Sequence, residues 1–541
     1  MSKAKKLNRR TFIDLLAKGS VSISLLPYFT SCIDIESQNT NSTKDNFRTK
    51  DNFKIKGIDP SLDDELILAE GLAFHSILKW GDKISKKDYF GFNNDFLCFF
   101  PIDEKDDEGI LWVNHEYLND TFIHKGPVVK TKSHSELDLY NVGGSLVHIK
   151  LVKDKWELVY DSKYNRRVSG LTQIPFNWDH KIEGSNSAMG TLGNCAGGIT
   201  PWGTVLTCEE NYSSFYGERK SYSRSISASN YKCEKNFKNP PEHYGWVVEV
   251  DPFTGTAKKH IGLGRCAHEC ATVKQLDDDR VVVYTGDDGN NEHLYKFISS
   301  SKNSLDQGSL YVANIEKGEW IPVDIEMHDI LKSKFKSQTE VLIYLREAAK
   351  LIGASELDRP EDIEIDPVTG NVLVALTNNV TKGNYFGSIL KIEEDGGDHT
   401  SLSFKSETYL AGGEETGFAA PDNMVFDRVG NLWFTSDISG SSINKPPYES
   451  FKNNGLFIVP REGIDKGKVI QLASAPVDAE FTGPWFSPDS KTLFLSVQHP
   501  GEKSKSINEL TSNWPDGENN IPKPSVVAIS GKLLNKIQGI H

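Results

Sequence analysis

"TGNVLVALTNN" (Thr369–Asn379), "VGNLWFTSD" (Val429–Asp437) and "SKTLFLSVQHP" (Ser490–Pro500) repeat one pattern at intervals of about 60 residues: a turn, a short apolar run, then a polar cluster. Three earlier runs follow it at wider intervals, as if loops had been inserted: "EGILWVNHEY" (Glu108–Tyr117), "WGTVLTCEEN" (Trp202–Asn211) and "DRVVVYTGDD" (Asp279–Asp288). Each has a partner upstream, beginning with polar or small residues: "NNDFLCFFPI" (Asn93–Ile102), "CAGGITP" (Cys195–Pro201), "HECATVKQL" (His268–Leu276), "PEDIEIDP" (Pro360–Pro367), "PDNMVFD" (Pro421–Asp427) and "TGPWFSPD" (Thr482–Asp489). Strand composition bounded by turn residues reads as six β-hairpins. In a hairpin the start of the first strand and the end of the second lie together, so the polar segments converge on one face.

The pattern predicts an all-β chain, a six-bladed β-propeller with loop and short helical insertions. A β-sandwich with coincidental repeats is the alternative. Outer strands are expected at "GGSLVHIKL" (Gly143–Leu151), "YGWVVEVDP" (Tyr244–Pro252) and "GSILKIEED" (Gly387–Asp395), a single helical insertion at Lys336–Ala354, and "PSVVAI" (Pro524–Ile529) returning to close the ring. A radial repeat reaches 541 residues as one unit, and a net charge of −14 argues against a general nucleic-acid binder.

Residues 1–31 read as a targeting segment: "NRRTF" (Asn8–Phe12) has the form of a twin-arginine signal, followed by a moderately apolar stretch carrying Asp14 and Lys18. Cys32 is a candidate for lipidation, and residues 32–60 are expected as a flexible tether to a propeller domain at 61–541. The expected location is the periplasm or cell envelope, with the export machinery as partner, possible membrane anchorage through Cys32, and a monomeric state. Seven cysteines without a Cys-x-x-Cys pair exclude a disulfide scaffold but leave one or two bridges open.

The polar ends carry the chemistry. Cys195 lies among Gly193, Gly197 and Gly198, and Glu209 and Glu210 end its partner strand; a thiolate among carboxylates suits a redox-type transition metal, whereas calcium prefers oxygen alone. The other ends offer Asn114, His115 and Glu116; His268 and Glu269; Asp287 and Asp288; Glu361 and Asp362; Asp422 and Asn423. So many carboxylates on one face must raise their pKa values or bind cations. Arg359 stands beside one cluster, as an ion-pair partner or as a planar fork for an anionic substrate. Arg265, Arg166 and Arg167 are weaker candidates, and His499 reads as a structural hydrogen bonder.

These segments resemble the PhoX-type alkaline phosphatases of bacteria. The resemblance rests on "ILKWGD", "NHEY", "KYNRR", "GNCAGGITPWGTVLTCEEN", "HEC", "YTGDD", "RPEDIEIDP", "PDNMVFD", "FTGPWFSPD" and "QHPGE", in that order along the chain. It implies a propeller exported by the twin-arginine route, with a phosphomonoesterase site holding iron and calcium ions, acting on small phosphate esters. By the same resemblance Cys195 is the iron-bridging thiolate, Glu210, Glu269, Asp288 and Glu361 are iron or calcium ligands, Asn114 and Glu116 are calcium ligands, Arg359 contacts phosphate, and a metal-bridging oxygen is the nucleophile. Cys266, Ala267 and Cys270 in "GRCAHECA" depart from the family's expected pattern. Two other readings stay open: a calcium-dependent lactonase or phosphotriesterase, and a non-catalytic calcium-stabilised binding propeller. The last two blades, with "TSD" and "QHP" ends, are expected to shape the pocket rather than hold metal.

Overall fold

The computed structural model describes residues 53–223 and 225–540; the twin-arginine segment, Cys32 and the tether up to residue 52 lie outside the described residues. Six blade sheets stand in a ring, antiparallel except where Ala257–His260 pairs in parallel with Gln173–Asn177 at the outer side of blade two. Their innermost strands are Asn94–Pro101, Asn194–Ile199, Thr272–Gln275, Pro360–Ile365, Pro421–Phe426 and Glu480–Phe486, each touching the next around a central channel. The second strands are Glu108–His115, Val205–Glu209, Val281–Gly286, Val372–Leu376, Leu432–Ser436 and Thr492–Gln498. These second strands are nearly or wholly buried along their length, because both faces pack against neighbouring blades; continuous apolar runs therefore replace alternation. An Asp-Pro-x-Thr-Gly turn stands at Asp251–Gly255 and again at Asp366–Gly370; in each the aspartate Oδ1 accepts from the amides two and three residues on.

Ring closure differs from expectation. Ser525–Ser530 is the third strand of blade six, and its outer partner is Ala73–Lys79 from the N-terminal side, so the two ends of the domain close one sheet together. Residues 53–60, expected as tether, are instead docked: the Ile55 amide donates to Asp465 Oδ2 at 2.9 Å and the Ile58 amide to the Gln471 carbonyl at 2.9 Å. The helical insertion is broken into Gln338–Ile343 and Leu345–Ile352 at Tyr344, whose φ and ψ of −106° and 44° are non-helical. A further helix, Lys132–Asn141, is started by a capping box on Thr131, a signal not read from the sequence.

Candidate active site

Five blades build the channel mouth by one repeated device. Each inner hairpin opens on a paired residue: Asn94 with His115, Asn194 with Glu209, His268 with Asp287, Pro360 with Leu376, Pro421 with Ser436. Below each pair the inner strand carries one residue more than its partner before register resumes, which is a β-bulge; bulges re-aim side chains. The residue following the pair on the inner strand is Asp95, Cys195, Glu269, Glu361 or Asp422. The residue following it on the second strand is Glu116, Glu210, Asp288, Thr377 or Asp437, and its amide donates at 2.8–3.1 Å to the carbonyl of Asn93, Gly193, Ala267, Arg359 or Ala420. Four of these carbonyl residues have left-handed backbones, including Arg359 at φ +55°. Gly193 (φ +62°) allows what no side chain would, since a Cβ there would lie 2.6 Å from the Asn211 carbonyl carbon. In blade six the bulge carries Gly483 (φ +54°), packed on the Phe96–Leu97 backbone, so that blade offers Glu480 and Gln498 instead.

The bulge residues converge. Cys195 groups with Asp95 and Glu116, and again with Glu210 and Glu269; Glu269 in turn groups with Glu361 and Asp422, the ligand atoms of each trio lying within 4.8 Å of one another. Cys195 and Glu269 are therefore shared corners of three linked trios. The Cys195 Sγ lies 3.2 Å from Asp95 Oδ2 and 3.0 Å from Glu269 Oε1, yet one S–H proton serves only one of them. Asp95 Oδ1, Glu210 Oε2 and Glu361 Oε1 are buried without a hydrogen bond; Arg359 Nη2 comes within 2.6 Å of that Glu361 oxygen, at an angle that makes none.

Electrostatics say what the cluster lacks. Burial, then the neighbouring Asp95 charge, pushes Glu116 up to about 8; burial pushes Asp95 up to about 6. Burial followed by the surrounding carboxylates raises Glu210, Glu269, Glu361 and Asp422 as well, and drives the Cys195 thiol well above its ordinary value. A thiolate and this many ionised acids coexist only with cations between them. The residues thus fit bound metal by their donor set and by their orphaned oxygens.

Neutral groups hold the acids in place. Asn211 and Gln498 donate to the two Glu116 oxygens at 2.6 and 2.7 Å, and Gln498 also reaches Asp95 Oδ2 at 2.9 Å. Asn114, expected as a ligand, is not brought to the cluster as one: its Oδ1 accepts from Trp112 Nε1 and Thr207 Oγ1, both at 2.7 Å, and its Nδ2 donates to the Cys195 and Ala196 carbonyls at 2.6 and 3.0 Å. It braces the backbone of Cys195. Asp288, expected as a metal ligand, is in none of the trios: Arg359 straddles it through Nε and Nη2, at 2.8 and 2.9 Å, and the Arg359 Nη1 edge lies 3.3 Å from Asp437.

In His115–Glu116, Glu209–Glu210, His268–Glu269 and Asp287–Asp288 the first member is structural and the second faces the mouth; in Glu361–Asp362 the order is reversed, Asp362 Oδ2 accepting the Met424 amide at 2.7 Å. Glu209 is buried against Lys259 Nζ at 2.6 Å and accepts the Leu192, Gly245 and Trp246 amides. His268 bonds Thr285 Oγ1 and the Gly264 carbonyl, His115 bonds the Phe92 carbonyl and Ser145 Oγ, and Asp287 pairs with Arg346. Arg265 forks onto Glu218, Arg166 and Arg167 bond backbone carbonyls away from the cluster, and His499 bonds the Asp478 carbonyl and Glu480. Cys266 and Cys270 are buried core residues, and all six described cysteines are free. Sequence reading missed Asp95 as a site residue and left Asp422 outside the metal set. Aligning the inner strands by their second residue ("ND", "NC", "HE", "PE", "PD") finds both. Blade five therefore adds Asp422 to the candidate ligands, while Asp437 of its "TSD" end is in none of the trios.

One thiol shared among buried acids at the centre of a six-bladed propeller is a set of residues that could hold metal ions. The family model described as alkaline phosphatase PhoX matches residues 53–501, and the chain belongs to that family. Pseudomonas fluorescens PhoX, solved in complex with vanadate, a transition state analogue, is similar at 29% identity and a TM-score of 0.80, over 90% of this chain and 99% of that one. A Dyadobacter fermentans protein of unknown function aligns at 12% identity and a TM-score of 0.39, over 86% of this chain and 100% of that one. A periplasmic gluconolactonase of Pseudomonas aeruginosa aligns at 11% identity and a TM-score of 0.29, over 57% and 66%. No curated protein sequence matches significantly.

Proposed function

We propose that the chain is a metal-dependent phosphomonoesterase that releases inorganic phosphate from small organic phosphate esters. The observation that carries this reading is Cys195 as the common corner of two acid trios, beneath the Arg359 fork, in a PhoX-family propeller. The sulfur-bearing trio with Glu210 and Glu269 suits iron; the all-oxygen trio of Glu269, Glu361 and Asp422 suits calcium. Held by these residues, such cations would supply Lewis acidity toward phosphoryl oxygens and offset charge that builds up in the transition state.

The chain's own residues do the rest. Asp288 fixes the Arg359 guanidinium through two bonds, and the Nη1 edge, held only by a long bond to Asp437, is the part that would turn to a phosphoryl oxygen. Asn114 fixes the Cys195 backbone, and Asn211 with Gln498 fixes Glu116, so the ligand atoms need little rearrangement on binding. Elemental analysis of purified protein together with hydrolysis of an aryl phosphate tests the reading: iron and calcium with turnover are expected, and fully metal-loaded protein without turnover of any monoester contradicts it.

The proposal extends to export. The "NRRTF" motif supports the twin-arginine route to the periplasm, and Cys32 the attachment of lipid. Replacing Arg9 and Arg10 with Lys should trap activity in the cytoplasm, and the mass of the mature N-terminus reports whether Cys32 carries lipid; unchanged export refutes the route.

A further inference from the structure

We propose that Arg346, carried by the helical insertion between blades three and four, is a positioning residue for phosphate binding: acting through Asp287 and Asp288, it sets the orientation of the Arg359 fork. The inference rests on the phosphomonoesterase reading.

Two arginine–carboxylate forks stand in series. Arg346 Nε reaches Asp287 Oδ1 and Oδ2 at 3.0 and 2.8 Å, and Nη2 bonds Oδ1 as well. The same Nη2 approaches the Asp288 carbonyl at 3.4 Å, so one guanidinium touches both residues of the pair. From the other side the Ala267 amide donates to Asp287 Oδ1 at 3.1 Å, and the Asp288 amide donates to the Ala267 carbonyl at 2.9 Å. Peptide units are planar and stiff: the one before the Asp288 Cα is held through its amide by Ala267, and the one after it is approached through its carbonyl by Arg346, so the Cα from which the Asp288 side chain departs is fixed from both sides. That carboxylate is the one holding Arg359 through Nε and Nη2.

Chemistry supports the direction of the relay. Asp287 is fully buried, and a buried carboxylate without its partner would turn rather than hold a fixed place. The insertion does not depend on Arg346 for its seat. Leu331, Phe335, Val341, Leu342, Leu345 and Ala348 are buried against blades two and three, so removing one partly exposed guanidinium leaves the helix packed. Lys350, on the same helix, lies 3.8 Å from Glu292 at the rim and touches neither aspartate, which makes it a matched control.

The test uses metal-loaded holoenzyme and isothermal titration with inorganic phosphate, alongside metal content and steady-state kinetics on an aryl phosphate. Arg346→Met should bind phosphate about ten-fold more weakly, from loss of one oriented charge-assisted contact, with KM raised more than kcat is lowered and metal content unchanged. Lys350→Ala should match wild type. Added guanidinium ion should restore phosphate affinity to Arg346→Met, which a purely structural loss would not allow. Arg346→Lys keeps the charge without the fork and should fall between; it carries the test if Arg346→Met does not fold. Wild-type phosphate affinity in Arg346→Met or Arg346→Lys, or equal losses in Arg346→Met and Lys350→Ala, overturns the relay. Wild-type holoenzyme that neither binds phosphate nor hydrolyses the ester overturns the functional reading, and this inference with it.

Discussion

Replacing Arg359 is the sharpest perturbation of the proposed chemistry, and asparagine is the replacement to use. Arg359 has a left-handed backbone at φ +55°, where most side chains are strained, but blade one places Asn93 at the equivalent position with φ +45°. Arg359→Asn therefore keeps the backbone and removes the fork. The lost interactions are two bonds to Asp288, a 2.6 Å ion pair with Glu361, a long Nη1 contact to Asp437 and the contact Nη1 would make to a phosphoryl oxygen. A charge-assisted bond contributes about 1.5–3 kcal/mol, and removing a donor aimed at transition-state charge costs about 2.7–4 kcal/mol. The expected loss in kcat/KM on an aryl phosphate is about 10²- to 10³-fold. Metal content should stay at the wild-type level, because Arg359 is a cation among the ligands and not one of them. Arg359→Lys should recover only part of the loss, a point charge replacing a planar fork. A kcat/KM for Arg359→Asn within about three-fold of wild type, at equal metal content, would refute the assigned role.

Chelator-stripped protein should be more stable at pH 5.5 than at pH 8.5, contrary to common carboxylate behaviour. The folded pKa values of Asp95 (about 6) and Glu116 (about 8) lie above their unfolded ones, so the folded state holds more protons between about 4 and 8 and stability falls as pH rises; melting curves check this, and adding metal back should remove the trend. Asp95→Asn and Asp422→Asn should each lower the bound metal measured by elemental analysis, with little cost to the melting temperature of the stripped protein. Lys259→Met strands the buried Glu209 and should cost about 3–5 kcal/mol in denaturant unfolding, much of which Glu209→Gln in the same chain should restore.

The ring was legible because a propeller repeats its signal: six apolar second strands flanked by turn residues survive inserted loops. Its closure was not, since Ala73–Lys79 has no hairpin partner nearby in sequence and pairs with Ser525–Ser530 at the far end of the chain. Within the site, "EE", "DD" and "HE" announced where side chains would gather but not which member would serve. For Glu269 that choice depends on the bulge of its inner strand, which re-aims it while His268 bonds inward; Glu210 and Asp288 lie one residue past the last pair of their strands, where their amides bond the Gly193 and Ala267 carbonyls, while Glu209 and Asp287 bond inward. Asn114 shows the converse: a polar side chain at the right end of the right strand, with all its hydrogen-bonding capacity taken up by Trp112, Thr207 and the Cys195–Ala196 carbonyls. Pairing at that distance in the chain leaves no local trace.

The shared thiolate is the centre of the account, and X-ray absorption at the edge of the metal that copurifies tests it directly. Wild-type protein should show a sulfur scatterer in the first coordination shell, replaced by oxygen in Cys195→Ser. A shell of oxygen and nitrogen alone in the wild type, unchanged by that substitution, would contradict the assignment of Cys195 to the metal.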